Sequence, residues 1–150
     1  KTTLLRAILG EVPLAAGQRW MGPGVKVGLL DQRRLRYGAD QPLLRSFMDT
    51  TGLDRSESRS LLAKFGLGAD HMEREGQNLS PGERTRALLA ELMAEGVNCL
   101  VLDEPTNHLD LAAIEQLESA LEGYDGTLLL VTHDRAFLDA VAVTTTIDLG

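Results

Sequence analysis

Two adjacent carboxylates, Asp103 and Glu104, follow the apolar run Cys99-Leu100-Val101-Leu102. The run is too short for a helix and suits a strand buried on both faces. Open α/β sheets bind ligands outside the carboxyl ends of their strands. There, neighbouring carboxylates suit different tasks: one holds Mg²⁺ and the other activates a water. An exposed acidic loop after a strand is the plainer reading. Lys1-Thr2-Thr3 opens an apolar helix. In a phosphate-binding loop, a lysine reaches the β- and γ-phosphates and the next hydroxyl sits on Mg²⁺. The glycines of such a loop would precede Lys1, so the motif is half present.

Leu79-Ser80-Pro81-Gly82-Glu83 reads as a helix start, with Ser80 as N-cap, Pro81 at the first helical position and Glu83 completing a capping box. The same geometry is an anion site, because the first N–H groups of a helix and a serine hydroxyl point outward together. Gly82 favours that second reading, since glycine in a first turn costs stability unless something must approach the backbone closely. His133 follows the run Leu128 to Thr132, on the same predicted sheet edge as Asp103 and Glu104. That shared edge favours a phosphate contact over a purely structural histidine. Gln32 stands at another strand end and by itself reads as a solvated loop residue. Arg33, Arg34 and Arg36 read as a solvated or ion-paired stretch rather than a nucleic-acid patch. Trp20 and Met21 are expected in the core or in strand packing, and His71 has no partner pattern.

The elements that must position these residues are set by periodicity. A helix is predicted over Thr2 to Leu9, closed by Gly10, and strands over Gln18 to Met21 and Val25 to Leu30, joined by Gly22-Pro23-Gly24. Pro42 to Arg74 is helical in pattern. Glu83 to Glu95 is a helix carrying Leu88, Leu89, Leu92 and Met93. Leu111 to Glu122 is another, with Leu111, Ile114, Leu117 and Leu121 on one stripe. Thr127 to Thr132 reads as a second buried strand, Arg135 to about Ala142 as a helix and Val143 to Leu149 as a last strand. Such alternation predicts an α/β sheet that is at least partly parallel. The helical stretch from 42 to 74 is expected as a subdomain inserted between two halves of that sheet.

Composition narrows the class. At 150 residues, 43% hydrophobic and 25% charged, the chain is about one globular domain and too apolar to be disordered. No apolar run approaches a membrane span, and nothing at the start resembles a signal peptide. The single cysteine, Cys99, excludes an internal disulfide framework and fits a cytoplasmic location. A net charge of −7 opposes nonspecific binding to nucleic acid or anionic lipid. Any such contact is therefore local or made by another part of the protein. Both ends look cut.

Taken in order, these pieces resemble the nucleotide-binding domain of the ATP-binding cassette (ABC) superfamily. The matching residues are the end of the Walker A loop (Lys1-Thr2-Thr3), the Q-loop glutamine (Gln32) and the signature (Leu79 to Glu83). They continue with Walker B and its glutamate (Leu100 to Glu104), the D-loop (Asn107-His108-Leu109-Asp110) and the switch histidine (His133). The match runs from residue 1 to about 149. Glu104 to Asp110 looks like the ABC-F class, since transporter cassettes usually carry Ser-Ala or Ser-Gly where this chain has Asn107-His108. Val131 to Leu138 has the same character. The absence of a long insertion between Arg33 and Asn78 resembles a second cassette. Pro81 stands where the common signature has glycine and removes one backbone N–H, while the Gly82 N–H and the Ser80 hydroxyl remain.

The resemblance implies an α/β, P-loop NTPase-like ABC domain, truncated on the N-terminal side of the Walker A loop. Its ATPase core would be 1–32 and about 79–150, with a helical subdomain over about 33–78. It implies ATP hydrolysis in a sandwich of two cassettes. Lys1 would hold the β- and γ-phosphates, with Thr3 beside it, while Thr2, Asp103 and Gln32 would serve Mg²⁺. Glu104 would polarise the attacking water, and Gln32 and His133 would sense the γ-phosphate. Ser80 and Gly82 would contact the nucleotide of the partner cassette, and Asp110 would couple the sites. ABC-F proteins are soluble tandem cassettes, many acting on the ribosome in translation or antibiotic resistance. The alternative is the ATPase subunit of a transporter, with a membrane permease as partner. Residues 1–150 alone, lacking the glycine-rich half of the loop, are expected to be inactive.

Overall fold

The computed structural model describes residues 2–30, 37, 40–107 and 109–147. Lys1, Gln32, Arg33, Arg34, Arg36, His108 and the stretch from Asp148 lie outside the described residues. Helix α1 spans Thr2–Leu9 and strand β1 Val27–Leu29; helices α2 (Leu43–Thr51), α3 (Arg55–Lys64) and α4 (Ala69–Met72) come next. After a 3₁₀ turn at Gly76–Asn78 come α5 (Pro81–Ala94), β2 (Cys99–Asp103), α6 (Leu111–Glu122), β3 (Thr127–Val131) and α7 (Arg135–Ala140).

The described strands form one parallel sheet in the order β1-β2-β3. Its middle strand carries Leu100, Val101 and Leu102, all buried, as a continuous apolar run requires when both faces are covered. β3 is outermost among the described strands and only half-buried, so Leu128, Leu129 and Leu130 are less enclosed here than their sequence predicts. Asn98 ties the strand starts together: its side-chain carbonyl accepts from the Lys26 N–H at 2.8 Å and its amide donates to the Gly24 carbonyl at 2.9 Å.

Helix α5 runs through the core, burying Thr85 to Leu92 without a break. Two polar groups on it reach across to other segments. Glu91, fully buried, accepts from the Tyr37 hydroxyl at 2.7 Å. Arg86 donates through Nη1 to the carbonyls of Phe65 and Gly66, both at 3.0 Å, and so caps the end of α3. Burial lowers the Arg86 pKa from its ordinary value, and the Glu83 charge opposes that shift. In α2, Leu43, Leu44 and Phe47 face the core at helical spacing. Asp54 and Glu57 exchange capping-box hydrogen bonds at the start of α3.

Some expectations are corrected. Gln18 to Met21 forms no strand: Arg19 turns back instead and donates to the Ile8 and Leu9 carbonyls, capping α1. Trp20 is 86% exposed rather than packed. Leu111 is exposed at the start of α6, and Ala113 takes the buried place in that first turn. Val143 to Ile147 is not a strand, and the end of that predicted strand lies outside the described residues.

Candidate functional site

The sheet register sets the site. Asp103 ends β2 beside Val131 of β3, so the loops leaving the two strands emerge on the same edge. The Thr2 hydroxyl, at the start of α1, donates to Asp103 Oδ2 at 3.1 Å and fixes that helix N-terminus beside the strand end. Thr3 is exposed in the same turn. Glu104 has φ +47°, a left-handed conformation costing a non-glycine residue on the order of 1–2 kcal/mol. Its N–H still donates to the Val131 carbonyl at 2.7 Å, and its own carbonyl accepts from the Asn107 N–H at 3.2 Å. Backbone strain of this sort marks functional positions more often than chance placement would.

His133 Nε2 lies 3.3 Å from Glu104 Oε1. The backbone next to the histidine is fixed by its neighbours. The Asp134 N–H donates to the Thr132 hydroxyl, and the Asp134 carboxylate caps α7 by accepting from the Phe137 N–H at 3.1 Å. Phe137 is fully buried and anchors that short helix. Thr2, Asp103, Glu104 and His133 therefore form one grouping. Asp110 belongs to another: it is the N-cap of α6, accepting from the Ala113 N–H at 2.8 Å.

Among the described residues no group of three or more His, Cys, Asp or Glu side chains could hold a metal. The Thr2 hydroxyl and Asp103 carboxylate nevertheless converge as hard oxygen donors. They fit Mg²⁺, which keeps several waters and takes its other ligands from substrate phosphates.

The second grouping is built on the start of α5. The Glu83 N–H donates to the Ser80 hydroxyl at 3.2 Å, and Glu83 Oε2 accepts from the Ser80 N–H at 2.7 Å, the expected capping box. Gly82 is buried, and a methyl there would stand 2.5 Å from the Ala113 Cβ. The close approach anticipated at this glycine is thus made by α6. Arg84 draws in the preceding turn by donating to the Leu79 and Gln77 carbonyls at 3.1 and 3.0 Å. Glu83 Oε1 also receives Arg74 at 2.7 Å and His71 at 3.2 Å. Neither partner was visible in the sequence, since no spacing rule links residues across an irregular turn.

Burial by itself would push the Glu83 carboxyl up, but the Arg74 hydrogen bond, the Ser80 N–H and the charges of Arg74 and His71 together hold it below its ordinary value of 4.5. A depressed folded-state pKa gives stability that is present above the unfolded value and lost as pH falls through the folded one. Urea unfolding of the full-length parent should therefore show this cassette weakening as pH drops below about 4.5. Glu83→Gln should flatten that part of the dependence; an unchanged profile would show that Glu83 is not linked to folding.

A parallel sheet with a helix N-terminus, an acid pair and a histidine on one edge is consistent with the P-loop, ABC-type α/β fold. The family described as "ABC transporter" matches residues 1–107, and the chain belongs to that family. Within it, the chain is an ABC ATPase domain most like the ABC-F proteins. It is 40% identical over 143 residues to the putative ATP-binding protein YdiF of Bacillus subtilis, covering 95% of this chain and 22% of YdiF. It is also 40% identical over 139 residues to the ribosome protection protein VmlR of Bacillus subtilis, covering 93% of this chain and 25% of VmlR. The chain thus spans about a quarter of the length of these relatives. A solved metal-chelate type ABC transporter in an inward-facing conformation shares the fold, with TM-score 0.71 and 22% identity over 93% of this chain and 61% of that one.

Proposed function

We propose that this chain is the ATP-hydrolysing cassette of a soluble, cytoplasmic ABC-F protein that acts on the ribosome, in translation or in ribosomal protection against antibiotics. The observation that carries the hydrolytic reading is Glu104, held at φ +47° with His133 3.3 Å from its carboxylate, on the edge where Thr2 meets Asp103. Likeness to a ribosome protection protein supports the target.

In this reading Lys1, with Thr3 beside it, holds the β- and γ-phosphates, and Glu104 takes up the proton of the attacking water. His133 and Gln32 meet the γ-phosphate. Thr2, Asp103 and Gln32 would hold Mg²⁺, which would draw charge from the phosphate oxygens when bound. Ser80 and Gly82 face the nucleotide held by a second cassette, and Asp110 links the two sites. Phosphoryl transfer needs mainly positioning and charge stabilisation, so dividing a site between two cassettes ties hydrolysis to closure. Residues about 33–78 form the helical subdomain of this cassette, between the core segments 1–32 and about 79–150. Among the described residues no helix is long and apolar enough to cross a membrane.

The test is sedimentation of the full-length parent carrying Glu104→Gln with ribosomes, with and without ATP. This variant should close on ATP and stay closed. ATP-dependent co-sedimentation is the expected result. No association, with ATP binding intact, would overturn the ribosomal reading in favour of a transporter subunit seeking a membrane permease.

A further inference from the structure

Between α4 and α5 lies a small polar cluster that the hydrolytic site does not use. His71 takes a hydrogen bond on Nδ1 from the Gly68 N–H at 3.1 Å. With that nitrogen accepting, Nε2 is the nitrogen left to carry a proton. Nε2 faces Glu83 Oε1 at 3.2 Å, and Arg74 donates to the same oxygen at 2.7 Å. The other oxygen of Glu83 accepts from the Ser80 N–H. The Ser80 hydroxyl in turn accepts from the Glu83 N–H. One carboxylate, 14% exposed, thus joins the stretch around α4 to the turn that presents Ser80.

We infer that His71 is a positioning residue for ATP turnover: through Glu83 it fixes the direction in which Ser80 presents its hydroxyl to the partner cassette's nucleotide. The inference rests on the proposed ATPase activity. Arg74 pairs with the Glu83 carboxylate at 2.7 Å, and Arg86 on α5 feels the Glu83 charge. What His71 adds is geometric. The Ser80 N–H holds Oε2, and Arg74 alone would leave Oε1 with one donor from a flexible, 40% exposed side chain; a second donor from a ring pinned at Gly68 narrows the freedom of that oxygen.

Two substitutions separate the two bonds of the ring. His71→Asn places a carbonyl near the position of Nδ1, keeps the Gly68 bond and stops short of Glu83. His71→Gln reaches the position of Nε2 and can still donate to Glu83. In the full-length parent, H71N should lower kcat for ATP roughly tenfold while KM changes little, since displacement of a positioning group costs turnover rather than ground-state binding. H71Q should keep a kcat close to the wild type. The melting temperatures of both variants, measured alongside, should not account for the difference between them.

Equal kcat in wild type, H71N and H71Q would overturn the inference and leave the ATPase reading standing. So would an equal loss in both variants, or a loss in H71N that follows its melting temperature, because a merely structural histidine would give those results. A full-length wild type that releases no phosphate from ATP would overturn the ATPase reading itself, and this inference with it.

Discussion

The full-length parent carrying Glu104→Gln should hydrolyse ATP at this cassette's site on the order of 10²–10⁴-fold more slowly than the wild type, the usual contribution of a positioned general base. Glutamine has nearly the same size and can accept a hydrogen bond from water, but it does not take the proton. The backbone gives little reason for the change to spread. Glu104 is held in its left-handed conformation by its N–H on the Val131 carbonyl and by the turn that closes onto it from Asn107, neither of which involves the side chain. ATP affinity should survive, because the Thr2–Asp103 pair remains. Phosphate release in a single turnover, set beside equilibrium binding of ATP, would separate the two effects. A loss below about threefold, with ATP still bound, would remove Glu104 from the role of base and leave the nearby His133 as the next candidate.

The residues legible in the sequence and those hidden in it divide along a physical line. Asp103, Glu104 and His133 were legible because parallel strands that read as apolar runs deliver their next residues to one edge. Ser80 and Glu83 were legible because a capping box is local, its partners three residues apart. The Thr2–Asp103 bond spans most of the chain, yet helix and strand were each recognisable at their own ends. Trp20 was misplaced because an aromatic in a short β-prone stretch reads as packed only if a neighbouring strand is there to pair with it. In the structure its neighbour Arg19 folds back to cap α1 and leaves the indole 86% exposed. His71, Arg74 and the Tyr37–Glu91 bond were hidden for the opposite reason: their partners are fixed by how α4, α5 and the turns between them pack, and no periodicity encodes that.

Gly82 shows both sides of this division, and it carries the second large expected effect. Gly82→Ala should destabilise the α5–α6 pair by about 1–3 kcal/mol, the usual cost of forcing a methyl into a filled contact. Alanine is the better helix former by up to about 1 kcal/mol, so overpacking has to outweigh that gain. The geometry favours the penalty. The new Cβ would stand 2.5 Å from the Ala113 Cβ, so α5 and α6 would have to move apart. Ala113 lies three residues into α6, where its N–H is held by Asp110, and Gly82 lies two residues from Ser80. Separating the helices therefore tilts both elements proposed to face the partner cassette, and ATP turnover should fall together with stability. The double variant Gly82→Ala with Ala113→Gly moves the methyl from one helix to the other. Its Cβ would then meet the residue-113 Cα at 3.3 Å, a contact that a shift of a few tenths of an ångström relieves. Denaturant unfolding and ATP turnover of the full-length parent should both recover most of the loss in the double variant. Recovery of stability without turnover would show that the glycine is needed at the nucleotide as well as at α6. A single variant as stable and as active as the wild type would show that the two helices have room to spare, and that neither packing nor nucleotide contact explains a glycine in that first turn.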